Sequence, residues 1–284
     1  MADMMKECGF EIIHPPQERA FRFVLFDFDG TISLIREGWP DVMVPMMVEY
    51  LLPLDTGKTA EELYALMAED VAETTGKQTI YQMIRFAERV REFGGRPLDA
   101  QEYKAEYNRR LLDHIRHRRE ALAKGKVQPD DMLLTGARGL LEELSRRGLL
   151  MCLASGTDEQ YVREEAKLVD VAKYFGEHIY GALADYKSYS KAMVIERLIR
   201  ENGIDGEQLV VFGDGFVEIE NTKSVGGYAV GVASDESAGG GKVDPWKRER
   251  LLRAGADMII ADFAEHVRLV QLLFGDSCRD TGPT

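Results

Sequence analysis

Apolar positions along the chain change their spacing twice. Phe23, Val24, Leu25 and Phe26 form a short continuous run, the pattern of a strand buried on both faces. From Ile32 to about Gly125 the spacing becomes helical. Val42, Met43, Met46, Met47, Tyr50 and Leu51 share one face, and Thr59 to Glu62 forms a capping-box signature ahead of Leu63, Leu66 and Met67. Ile80, Met83, Ile84, Ala87 and Val90 predict a third helix, stopped by Gly94, Gly95 and Pro97. Asp99 with Glu102 opens a fourth, which carries Tyr103, Tyr107, Leu111 and Ile115.

From Leu133 strands and helices alternate. The predicted helices are Ala137 to Arg147, Glu159 to Tyr174 and Lys191 to Glu201. The predicted strands are Leu149 to Ala154, a short one around Ile179, Leu209 to Phe212, Tyr228 to Val232 and Met258 to Ile260. Phe10 to Ile13 reads as a lead-in strand before Pro15 and Pro16, Ser237 to Gly241 as a flexible turn, and the tail from Asp276 as frayed. This alternation predicts an α/β fold, a Rossmann-like doubly wound parallel sheet covered on both faces. Residues 1–32 and 130–284 would form that core, with an all-helical domain inserted over residues 33–129.

A chain of 284 residues with 45% apolar and 30% charged content is long enough to bury a substantial interior. The formal net charge of -13 argues against a nucleic-acid partner, which requires clustered Lys and Arg. A small phosphorylated ligand is not excluded, since one Lys, one metal ion and a few N–H groups neutralise a phosphate. Cys8, Cys152 and Cys278 are odd in number and lack metal-ligand spacing, which fits a reducing compartment, and Cys152 reads as a small core residue. No membrane-length apolar segment and no secretory leader pattern are visible, so the expected location is the cytoplasm, as a monomer or homodimer.

The candidate chemistry lies where predicted strands end. Asp27 and Asp29 follow the Phe23–Phe26 run with one residue between them, which puts both carboxylates on one side of an extended backbone. Like charges that close need a cation or a shared proton, so a hard ion such as Mg²⁺ on Asp27, with Asp29 free for proton transfer, satisfies the pair. Gly30 allows a sharp turn and Thr31 can secure it. Ser155, Gly156 and Thr157 stand at a strand end before a helix, a natural anion site. Asp214 follows another buried strand between two glycines, and Glu218 would face the same way on a following helix. Lys187 and Lys191 both precede that strand at a usable interval.

Asp27-Phe28-Asp29-Gly30-Thr31 resembles the first motif of the haloacid dehalogenase-like superfamily. Ser155, then Lys191 or Lys187, then Asp214 with Glu218 resemble its other three motifs, in the family's order, with Glu218 where Asp is commoner. The resemblance implies a Mg²⁺-dependent phosphatase with Asp27 as nucleophile, Asp29 as acid and base, and Lys191 (Lys187 the other candidate) as the neutralising lysine. Phosphate would be bound by Ser155, Gly156, Thr31 and Lys191. The metal would be held by Asp27, the Asp29 backbone carbonyl, Asp214 and Glu218, the last directly or through a water.

The inserted helices resemble the family's helical cap, which implies a small phosphorylated metabolite, such as a sugar or polyol phosphate, as substrate. Arg36, Glu37 and Trp39 follow the first motif closely enough to line the mouth, with hinge and core packing as the other reading. The run Arg116, His117, Arg118, Arg119 reads as an anion attractor or a solvated helix face. A phosphomutase of the β-phosphoglucomutase kind, or a binding protein with an inactive site, are the alternatives.

Overall fold

The buried run becomes strand β2 (Phe23–Phe26), near the middle of a seven-stranded sheet in the computed structural model, which describes residues 10–16 and 20–275. Cys8, Cys278 and the tail from Asp276 lie outside the described residues. The other strands are β1 (Phe10–Ile12), β3 (Leu150–Asp158), β4 (Ile179–Ala182), β5 (Leu209–Gly213), β6 (Tyr228–Val232) and β7 (Met258–Ile260). Their order is β1-β7-β6-β5-β2-β3-β4, and every pair is parallel except β1 with β7.

That order fixes where a ligand can bind. From β2 the chain builds outward through β3 and β4, then returns to the other side of β2 for β5, β6 and β7. The reversal leaves a crevice at the carboxyl ends of β3, β2 and β5, the place where open α/β sheets take ligands. The register is tight there. Phe26 pairs with Leu153 on one side and Phe212 on the other, and the Phe26 and Phe212 rings stack 5.0 Å apart. Asp27, Ala154 and Gly213, each one residue further on, therefore reach the sheet edge side by side.

Five α-helices follow β2 before residue 129 among the described residues: α1 (Pro40–Leu51), α2 (Ala60–Thr74), α3 (Thr79–Glu92), α4 (Ala100–His114) and α5 (Arg116–Ala123). Thr59 closes the anticipated capping box, and Asp99 with Glu102 forms a second one at the predicted start of α4. The fifth helix has only Leu122 fully buried, so it shows no apolar stripe to read. The helices pack around Tyr50, Phe86 and Tyr103, whose rings meet edge-on, and around buried Asp70, which accepts from Arg85 and Arg89. Two linkers join this unit to the sheet. They run antiparallel, with Leu34 N–H donating to Met132 O and Leu134 N–H to Ile32 O.

The remaining helices are α6 (Ala137–Arg146), α7 (Glu159–Leu168), α8 (Ala172–Phe175), α9 (Lys191–Asn202), α10 (Phe216–Ser224), α11 (Pro245–Arg253) and α12 (His266–Phe274). A continuous helix from Glu159 to Tyr174 is not what forms. The chain breaks after Leu168, and Asp170 adopts φ 52, a left-handed conformation that a helix interior excludes.

The helical unit is closed over the crevice. A Cβ on Gly156 would lie 2.7 Å from Lys77 O, so only glycine permits this approach of the α2–α3 loop to the end of β3. In that loop the buried Gln78 side chain donates to Tyr186 O at 3.1 Å and Tyr189 O at 2.7 Å. On the other flank Lys104 and Asn108 of α4 both donate to Asp158. Gln78→Ala is expected to loosen this closure without touching the sheet. Amide exchange across residues 75–79 should speed up by about tenfold or more while β2 and β5 stay protected, as measured by hydrogen exchange with mass spectrometry.

Candidate active site

Lys191 is the first residue of α9, capped by Ser190, whose hydroxyl accepts from Met193 N–H. A cation in the first turn of a helix opposes the macrodipole, so helix stability does not explain it. Its side chain turns into the crevice, 4% exposed, and donates to Asp27 Oδ1 at 2.8 Å and Glu218 Oε2 at 3.0 Å. Lys187 is exposed, with its ammonium over the Tyr186 ring.

Asp27, Asp214 and Glu218 converge: each offers an oxygen within 4.8 Å of the others. Glu218 is fully buried, and its second oxygen accepts from Gly215 N–H at 2.7 Å, which anchors it at the start of α10. The donor set is entirely carboxylate oxygen, which suits a hard divalent cation. Burial pushes the Asp27 carboxyl well above the usual carboxylate range, Lys191 opposes it, and Glu218 and Asp214 add to the rise. Burial also works against the Lys191 charge, but Asp27 and Glu218 more than offset it and raise the ammonium above its ordinary value.

Asp29 has a different surrounding. Its Oδ2 accepts from the Thr157 hydroxyl at 2.9 Å and the Ser155 hydroxyl at 3.2 Å. Oδ1 has no hydrogen-bond partner, and Arg36 Nε stands 3.7 Å from it. Burial raises the Asp29 carboxyl above its ordinary value, against the pull of Arg36. Ser155 is held in turn: its Oγ accepts from Thr157 N–H, and Tyr189 donates to its carbonyl.

Above these groups is a cavity of about 80 Å³. Asp27, Asp29, Ser155, Gly156, Lys191 and Asp214 line its floor. The inserted helices and their linker supply Arg36, Trp39, Lys77, Gln82 and Tyr107. Of the anticipated residues, Thr31, Glu37, Glu218 and Lys187 are not among those lining it. Thr31 is fully buried in the turn after β2, and its hydroxyl has no hydrogen-bond partner. Glu37 accepts from Arg118, which also binds the Ile35 and Glu37 carbonyls.

The basic run is likewise taken up by ion pairs, Arg116 with Asp113 and Arg119 with Glu164. Arg36 lines the cavity but is not a free cation, because Glu165 of α7 holds it at 2.8 and 2.9 Å, both side chains buried. Sequence reading passed over Glu165, although a Glu three residues after Val162 on an apolar helix face is a signal. It also passed over Lys247, which donates to Asp214 Oδ2 at 2.9 Å, and Glu236, whose Oε1 accepts from Lys247 at 2.6 Å.

Comparison with known proteins agrees with this fold. No curated protein matches the chain in sequence. Solved structures share the fold, among them the following three. A predicted phosphoglycolate phosphatase from Haemophilus somnus 129PT has a TM-score of 0.57 at 17% identity, over 90% of this chain and 100% of that one. A hydrolase from Pseudomonas syringae gives 0.57 at 18%, over 88% and 98%. A β-phosphoglucomutase from Clostridium difficile gives 0.59 at 12%, over 90% and 98%. The family description "haloacid dehalogenase-like hydrolase" matches residues 21–226, a stretch that carries Asp27, Asp29, Ser155, Lys191, Asp214 and Glu218, and the chain belongs to that family of hydrolases.

Proposed function

We propose that this hydrolase is a phosphomonoesterase that uses Mg²⁺ and acts on a small phosphorylated metabolite through an aspartyl phosphate on Asp27. The observation that carries the reading is Asp27 itself, a buried carboxylate beside a lysine and two further carboxylates on a cavity floor, with Asp29 two residues on. Asp27, Asp214, Glu218 and the Asp29 backbone carbonyl would hold Mg²⁺, which when bound supplies positive charge against the phosphoryl oxygens.

The chain's own residues do the rest. Lys191 works against the rise that burial gives Asp27 and orients its carboxylate for in-line attack on phosphorus. Ser155 and Gly156, at the end of β3, present a hydroxyl and an N–H to the phosphoryl oxygens. Asp29, raised by burial, carries a proton on its unpartnered Oδ1 and gives it to the leaving oxygen. It then takes a proton from the water that hydrolyses the aspartyl phosphate. Arg36, Trp39, Gln82 and Tyr107 face the non-phosphorylated part of the substrate, and their polar atoms suit hydroxyl or carboxyl groups. Domain boundaries near residues 33 and 129, the cytoplasm and a monomer or homodimer complete the reading.

One observation favours a second reading. The α2–α3 loop is closed tightly on Gly156, and a phosphomutase needs such shielding to keep water from its intermediate. Phosphate release without any bisphosphate activator favours the phosphatase.

Asp27→Asn is expected to lower kcat for phosphate release from a panel of sugar and polyol phosphates by at least about a thousandfold. Turnover retained in that variant excludes Asp27 as nucleophile. Asp29→Asn should spare phosphorylation of Asp27 by an activated ester more than its hydrolysis, so the phosphoprotein should accumulate in intact-protein mass spectra.

A stability prediction follows from the raised carboxyls. Both favour the protonated form in the folded state, so the stability they contribute is complete below the unfolded carboxylate range and is lost as pH rises through the folded values. Metal-free wild-type protein should therefore lose more melting temperature between about pH 5 and about pH 8 than Asp27→Asn does. Mg²⁺ should shrink the difference, and parallel melting curves for the two proteins contradict the assignment.

A further inference from the structure

A second lysine stands on the far side of Asp214. Lys247 lies in the first turn of α11, where Asp244 accepts from its backbone N–H. Its ammonium donates to Asp214 Oδ2 at 2.9 Å and to Glu236 Oε1 at 2.6 Å, with Ser234 Oγ at 3.5 Å. The lysine, Asp214 and Glu236 are largely buried, with side chains 13%, 11% and 18% exposed.

The group is built into the first motif. Ser234 donates to Gly30 O at 2.9 Å, and a Cβ on Gly30 would collide with Asp214 Oδ2 and meet Glu236 Oε1 at 2.9 Å. Gly30 has φ +76, so it provides both the left-handed turn and the space in which these carboxylates sit.

The charges explain what the lysine does. Lys191 serves Asp27 and Glu218, and Lys247 serves Asp214 and Glu236. Four carboxylates against two ammonium groups leave two negative charges, those a divalent cation neutralises. Glu236 differs from the other three carboxylates: it is joined to the cluster only through Lys247 and lies outside the group of oxygens that converge. Without that ammonium it would be a fourth anionic ligand beside Asp214, and a fourth carboxylate suits Ca²⁺, which takes six to eight oxygens, better than Mg²⁺, which keeps several waters.

We propose that Lys247 is a positioning residue for the metal site, a tethered counter-ion that holds Asp214 in place and keeps Glu236 out of the metal's reach, and so biases the site towards a small ion over Ca²⁺. This rests on the reading of Asp27, Asp214 and Glu218 as metal ligands.

The test is calorimetric titration of wild type, Lys247→Met, Lys247→Gln, Glu236→Gln and the Lys247→Met/Glu236→Gln double variant with MgCl₂ and with CaCl₂, each protein first shown to melt cooperatively. Either single Lys247 variant should bind Ca²⁺ about tenfold or more tightly than wild type, with a smaller gain for Mg²⁺. Glu236→Gln in the double variant should return the Ca²⁺ to Mg²⁺ affinity ratio to the wild-type value, and alone should leave it unchanged or lower. A ratio unmoved or lowered in both Lys247 variants, or one that stays high in the double variant, overturns the role of Lys247 while leaving the metal site intact. Wild-type protein that binds neither ion overturns both the inference and the metal reading beneath it.

Discussion

The ion pair of Lys191 with Asp27 and Glu218 is the contact on which the crevice depends. Two buried carboxylates within reach of each other are sustainable only with a counter-charge, and removing one partner of such a buried set costs about 3–5 kcal/mol. Lys191 meets that need from the beginning of α9, a position where a cation is disfavoured by the helix dipole. The fold accepts an electrostatic cost at the helix and a desolvation cost at the lysine in order to place an ammonium against Asp27 at the sheet edge. Such a concentration of unfavourable local choices marks a site that serves chemistry rather than packing.

Asp27 and Asp29 show how one short turn creates two different carboxylates. Asp27 ends a central strand and faces a lysine and two acids. Asp29 lies two residues on, past the end of the ladder, and faces two hydroxyls that occupy only one of its oxygens. Burial raises both. The cation beside Asp27 is in direct hydrogen-bond contact, whereas Arg36 stays 3.7 Å from Asp29 and is itself committed to Glu165. Two differently surrounded carboxyls, one against a lysine and two acids and one against two hydroxyls, thus arise from identical side chains.

Much of this was legible in the chain because the fold relies on short, sharply bounded signals. The strands at Phe23–Phe26, Tyr228–Val232 and Met258–Ile260 coincide with apolar runs, and the capping boxes at Thr59 and Asp99 mark real helix starts. What was not legible is pairing between distant polar residues. Nothing near Arg36 indicates that Glu165 holds it, and nothing near the glycine-rich turn at 237–241 indicates that its neighbour Glu236 meets Lys247. These contacts are set by the order of strands, which brings the loops after β2, β5 and β6 to one end of the sheet. Helix ends decided by a single unusual backbone angle, as at Asp170, escape periodicity for the same reason: the cause is local geometry without a pattern.

The same end of the sheet also explains why access and selectivity reside in one set of contacts. The cavity of about 80 Å³ is closed by the α2–α3 loop, which is held by two hydrogen bonds from Gln78 and faced across by Lys104 and Asn108 on Asp158. One clasp binds the helical unit to the loop that follows β4 and the other to Asp158, the last residue of β3, while Asp27 and Asp214 are registered by the pairing of β2 with β3 and β5. Gln82 and Tyr107 reach the cavity from helices α3 and α4, whereas Arg36 is tied to α7 through Glu165. The cavity is thus lined from both sides at once, by the strand ends of the sheet and by the helical unit closed over them.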